Sequence, residues 1–159
     1  MKTEMKKTFR EGFTLLETVI YIALFGILMS GAVTASYQLL DGGNRNKMAV
    51  LIQEEGTFLN RKINWALMGA TSAVVSGGNT LTITRPDLGS ESPLVITENG
   101  NAMTLKRTGG SAVPLSSDIF KITNTSFVIE PAALGKPQSI TASFLVNDKS
   151  FISKKYLRQ

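Results

Sequence analysis

The sequence predicts an α+β protein in which one long N-terminal helix, apolar first and amphipathic after, packs on an antiparallel β-sheet. Three observations carry this. Residues 18–40 contain no charged side chain, although the chain has 17 Lys and Arg and 12 Asp and Glu. From Met48 to Leu67 apolar residues recur at three- and four-residue spacing, the period of a helix with one buried face. After Gly69 the texture changes to runs rich in Thr, Ile, Val and Phe, separated by Gly and Asn.

Residues 1–12, MKTEMKKTFREG, are polar and basic and end in Gly. They read as a short leader on the cytoplasmic side, because cations gather on the cytoplasmic flank of a membrane segment. The formal charge of +5 is partly theirs: without these four cations and two carboxylates the net charge is +3. The excess therefore speaks for topology before it speaks for nucleic acid. Residues 13–40 follow as an apolar segment with one carboxylate, Glu17, near its start. It is long enough to cross a bilayer, which takes roughly 20 helical residues. A secretory signal places its small-residue cleavage site after the apolar core. Here the small residue, Gly12, stands before it, so cutting there would leave the apolar helix on the mature protein.

Residues 41–69 form the amphipathic part, with Met48, Leu51, Ile52, Phe58, Leu59, Ile63, Ala66 and Leu67 on its apolar stripe. No Pro occurs before Pro86, so the two segments can form one helix of about 55 residues. Gly42-Gly43 is the expected interruption, since each glycine costs about 1 kcal/mol against Ala in a helix. Trp65 and Met68 are expected to close the helix as core contacts, and Glu54-Glu55, with Arg61-Lys62 beyond it, to lie on its solvated face.

Residues 70–159 form the sheet domain, with strands expected at 79–85, 93–97, 102–107, 118–130 and 138–147. Gly77-Gly78, Asn99-Gly100-Asn101 and Gly109-Gly110 supply the turns. Leu81 with Ile83, Met103 with Leu105, and Ile140, Ala142, Phe144 and Val146 alternate toward the helix. In 118–130 the apolar phase shifts after Asn124, from Phe120 and Ile122 to Phe127 and Ile129, which predicts a bulge or strand break. Lys154, Lys155 and Arg158 read as a solubilising tail, with DNA contact as the sharper alternative.

The chain has no Cys and no His. That excludes disulfides, thiolate zinc sites, thiol nucleophiles and the commonest general base. The carboxylates form no pairing pattern, and those of 87–98 are too scattered to hold calcium. No enzyme and no cofactor are expected.

The stretch Arg10-Glu11-Gly12-Phe13-Thr14-Leu15-Leu16-Glu17 resembles the processing site of type IV prepilins and pseudopilins. In that family a basic leader ends in Gly, Phe usually follows, and the fifth mature residue is Glu. The resemblance implies a type IV pilin-like fold. It also implies cleavage between Gly12 and Phe13 by a membrane-embedded prepilin peptidase, methylation of the new Phe13 amine, and a filament with the apolar helices at its centre. Partners would be other pilins or pseudopilins, an assembly platform and its ATPase. The precursor would sit in the cytoplasmic membrane with its N-terminus inside and its head outside, before joining a pilus or pseudopilus.

The residues suit those roles. Gly12 offers a cleft only backbone. Glu17 is a carboxylate entering hydrocarbon, at a cost on the order of 2.5–3.5 kcal/mol, and the amine created at Phe13 of a neighbour would offset it and fix register. The simpler reading of Glu17 is an acid favoured by the helix dipole and wetted at the interface.

Gly26 and Gly31, spaced five apart, allow close helix approach or local flexibility. The apolar segment has no Pro, which the family's major pilins usually carry, and the chain has no Cys, with which many of them close a C-terminal disulfide. Residues 103–127, with Arg107, Gly110, Pro114, Leu115 and Phe127, are similar to a strand–turn–strand segment of minor pseudopilins. The lean is to a minor subunit. The competing reading is a generic single-pass membrane protein with an extracytoplasmic binding domain, unprocessed and indifferent to Glu17.

Overall fold

The computed structural model describes residues 14–133 and 136–157. The chain divides into two units, Met1–Asn46 and Lys47–Gln159. Helix α1, Leu15–Leu67, enters the first unit and ends in the second. It stays helical through Gly42-Gly43, where the sequence suggested an interruption. A glycine penalty of about 1 kcal/mol each is small beside the cooperativity of the turns on either side.

In the first unit the helix has no buried residue among those described. Fifteen large apolar side chains between Leu15 and Leu40 are exposed. The hydroxyls do not interrupt this surface. Ser30 donates to the Ile27 carbonyl at 2.8 Å, Thr34 to Ser30 at 2.8 Å and Ser36 to Ala32 at 2.9 Å. Each of these three hydroxyls is thereby satisfied within the helix, as a hydrocarbon environment requires. Charge returns with an Asp41–Arg45 pair at 2.9 Å, one turn apart.

In the second unit α1 buries a single stripe: Ile52 in part, then Gly56, Leu59, Ile63, Ala66 and Leu67. Against it stand eight strands: β1 Ser72–Ser76, β2 Thr80–Thr84, β3 Leu94–Asn99, β4 Ala102–Arg107, β5 Val113–Pro114, β6 Ile122–Glu130, β7 Ser139–Val146 and β8 Lys149–Tyr156. All pairings are antiparallel. The strands form two sheets where the sequence suggested one, β1-β2-β3-β4-β5 and β6-β7-β8. Pro114 helps close the first sheet, since proline cannot donate to a further ladder. The second is tied to the turns of the first: Phe127 N–H donates to the Gly78 carbonyl at 2.7 Å and Ile122 N–H to Asn101 at 2.8 Å.

The alternation read from sequence holds for Leu81, Ile83, Met103, Ile140, Ala142, Phe144 and Val146, all buried, while Leu105 is half-buried. The phase shift in β6 is a register shift between Thr123 and Ser126. Asn124 adopts φ 53° there, and Glu98 accepts the Thr125 N–H at 2.7 Å. One extra residue lets both Ile122 and Phe127 face the core.

Three strands have no counterpart in the sequence reading, among them the two-residue β5. β1 follows α1 closely, and β8 contains the lysines read as a tail. Lys154 pairs with Glu130 at 2.6 Å and lies 5.7 Å from the centre of the Tyr156 ring. Charged side chains on an edge strand discourage pairing with other chains, so a basic strand is consistent with its place. Arg158 lies outside the described residues.

The end of α1 also differs from expectation. Trp65 is 38% exposed and Met68 62%, and Met48, Leu51 and Phe58 are exposed as well. The stripe that reaches the core is offset to Leu59, Ile63, Ala66 and Leu67, because the sheets cover only one side. Glu55 is not simply solvated, since it accepts the Ser117 N–H at 2.8 Å.

Candidate processing and assembly site

The start of α1 is set by Thr14, whose side-chain oxygen accepts the Glu17 N–H at 3.3 Å. Its carbonyl accepts the Thr18 N–H at 3.2 Å and the Thr18 hydroxyl at 3.4 Å. Thr14 is thus an N-cap that satisfies one of the four orphan donors of the first turn. The Thr14-x-x-Glu17 spacing is a capping-box signal that would have located this start from sequence.

Glu17 is the acid of the first turn and is partly exposed. The helix dipole favours a negative charge there, as the simpler reading of this residue holds. The Tyr21 hydroxyl donates to its carboxylate at 3.1 Å, one turn along. Periodicity did not single out Tyr21, because its ring is one more member of the apolar run. Gly12 and Phe13 lie outside the described residues.

Beyond this cap, α1 is long and apolar enough to cross a membrane, and none of its most apolar 18-residue window is buried. A lone carboxylate, accepting a hydrogen bond from a phenol, thus stands at the head of this segment.

Among the described residues no cluster of three acids, His or Cys could hold a metal. The scattered acids of 87–98 each have a structural partner: Asp87 pairs with Arg85, Glu91 with Arg107 at 2.7 Å, and Glu98 with the Thr125 N–H. The buried Arg85 also donates to the Trp65 carbonyl at 2.9 Å, fastening the end of α1. Its guanidinium hydrogen bond holds the Asp87 carboxyl below its usual range, and the same bond raises Arg85. Lys154 and Ser139 likewise lower Glu130.

Comparison with known proteins gives one match. Residues 8–33 fit the family model described as the prokaryotic N-terminal methylation motif. The comparisons with curated proteins and with solved structures each found no match. The matched span takes in Gly12, Phe13, the Thr14 cap, Glu17 and Tyr21, and ends within the apolar part of α1.

Proposed function

We propose that this chain, a type IV pilin-like precursor by its methylation motif and its α+β fold, is a minor structural subunit of a type IV pilus or a type II secretion-like pseudopilus. The observation that carries the reading is the methylation motif at residues 8–33 set directly before an apolar helix that continues into a β head. The motif marks a precursor that is processed by prepilin peptidase and assembles with other pilins. The apolar helix anchors it in the membrane until then.

In this reading the peptidase cuts between Gly12 and Phe13 on the cytoplasmic side and methylates the Phe13 amine. The Tyr21 hydroxyl partly satisfies Glu17 while the subunit waits in the bilayer. In the filament a neighbour's Phe13 amine takes over, replacing a hydrogen bond from a neutral hydroxyl by one from a cation. A separate ATPase and platform protein move the helix out of the membrane. The subunit has no catalytic role, and Lys154 and Lys155 serve the β8 edge.

Two measurements on membrane-derived protein test this. Intact mass should correspond to a chain beginning at methylated Phe13. Glu17→Val should still be cut but should lose co-isolation with sibling subunits from sheared filaments. Protein beginning at Met1 in cells with active prepilin peptidase would instead leave a generic single-pass anchor, for which the Thr14 cap is only the start of a helix.

A further inference from the structure

On the head, Phe58, Arg61, Lys62 and Trp65 occupy i, i+3, i+4 and i+7 of α1, beside the buried Leu59–Ile63–Ala66 stripe. With Leu105 of β4 and Leu115 they line a groove of about 450 Å3. Phe58 and Trp65 are each 38% exposed, and the two leucines are half-buried. Exposed aromatic rings beside arginine are the residues that dominate the centres of protein interfaces.

The charge of the groove is one-sided. No carboxylate lines it among the described residues. Arg107 at its rim is paired with Glu91. Lys62 lies 5.3 Å from the centre of the Phe58 ring. Neither Arg61 nor Lys62 is in an ion pair with an acid among the described residues. An apolar floor flanked by two such cations is complementary to aliphatic side chains flanked by carboxylates.

We propose that this groove receives an acidic segment with an aliphatic anchor from a neighbouring subunit, an inference that rests on the filament-subunit reading. The anchor would cover Phe58, Trp65, Leu105 and Leu115, and its Asp or Glu neighbours would meet Arg61 and Lys62. Nucleic acid fits less well. A strand needs cations that track successive phosphates and ring faces free for bases. Here the two cations are adjacent in sequence, and each ring already has a cation over it: Lys62 at Phe58, and Arg85 at 5.2 Å from Trp65.

The test uses the full chain in its own cells, with the photo-cross-linker benzoylphenylalanine in place of Phe58 and the adduct sequenced by mass spectrometry. The expected adduct is a sibling-subunit segment in which Asp or Glu flanks an aliphatic residue. Arg61→Glu with Lys62→Glu should still be processed to Phe13 but co-isolate with siblings about tenfold less, a loss of the size set by a few interface side chains. Exchanging the acids of the adduct segment for Lys should restore it. An adduct with nucleic acid, or with a neutral or basic segment, overturns the inference. So does undiminished co-isolation of the double variant beside a wild type that is processed and incorporated. A wild type that is neither processed nor co-isolated overturns the subunit function itself, and the groove's role with it.

Discussion

Gly56 is the residue at which helix propensity and packing make opposite demands. It lies in the interior of α1, where Ala would be favoured by about 1 kcal/mol. A Cβ at this position would stand 2.3 Å from two ring atoms of Phe151 and 2.5 Å from a third. Comfortable carbon contacts are roughly 3.5–4.0 Å, so the ring would have to retreat by more than about 1 Å. A ring at the end of a side chain can swing away, but this one is stacked on Phe144 with centroids 5.8 Å apart. Phe151 is 7% exposed and Phe144 1%. Retreat therefore compresses a filled core or brings the ring into water. Overpacking typically costs about 1–3 kcal/mol, which outweighs the propensity gain. Gly56→Ala should destabilise the head by up to about 2 kcal/mol, or as much as roughly 8 °C in Tm for a domain of this size. Thermal melting of a soluble fragment beginning at Gly43 measures it. Phe151→Leu, destabilising alone, should cost less in the Gly56→Ala background, because the smaller side chain makes room. A Gly56→Ala fragment that melts at or above the unmodified one would refute the packing argument.

Three further outcomes are expected. Gly12→Val should block removal of the leader, leaving protein that begins at Met1 by intact mass, because a β-branched side chain enters a cleft suited to bare backbone. The fragment beginning at Gly43 should be a soluble monomer by light scattering, while one beginning at Ala70 should aggregate, having lost Leu59, Ile63, Ala66 and Leu67 from the core. Because Arg85 lowers the Asp87 carboxyl in the folded head, their bond contributes stability above the ordinary carboxylate pKa of about 4, lost as pH falls through the lowered value. Asp87→Asn should lower Tm at pH 7 and narrow the Tm difference between pH 7 and pH 3.

The legible parts of the chain were those whose signal is local and periodic. Ile140, Ala142, Phe144 and Val146 alternate cleanly, and β7 lies where they place it. The phase change at Asn124 was visible because a bulge shifts every later side chain by one position. What failed was information held by the partner surface. Trp65 belongs by spacing to the apolar face of α1, but the sheets cover a narrower stripe and leave it with Arg85. β8 was obscured by its lysines, which resemble a tail until Ile140↔Lys155 and Phe144↔Phe151 place them across from β7. How the second sheet joins the first depends on long-range hydrogen bonds from β6 to the β1–β2 and β3–β4 turns, which no window of sequence contains. At the N-terminus, Glu17 stands out as a carboxylate before an uncharged run and the Thr14 cap is legible in the Thr14-x-x-Glu17 spacing, whereas the Tyr21 contact required geometry.

The two parts of α1 differ in how their apolar surface is completed, and that difference bears on assembly. In the second unit the stripe from Ile52 to Leu67 is covered by the chain's own sheets. In the first, fifteen large apolar side chains remain exposed, which in water would cost on the order of tens of kcal/mol. That surface demands lipid or other helices, but does not choose between them. Lipid tails are as apolar as leucine, so transfer from bilayer to filament core gains little from the hydrophobic effect. Selection of a filament over the membrane, and of one register over its neighbours, must then come from groups the bilayer satisfies poorly. Glu17 is the one carboxylate at the head of the apolar run. In lipid it has the Tyr21 hydroxyl, and in a filament it would gain a cation. At the other end of the helix the Phe58–Trp65 groove is open to water and would be covered by a neighbour. If both proposed contacts form only in the stack, together they would favour assembly where the long apolar surface cannot.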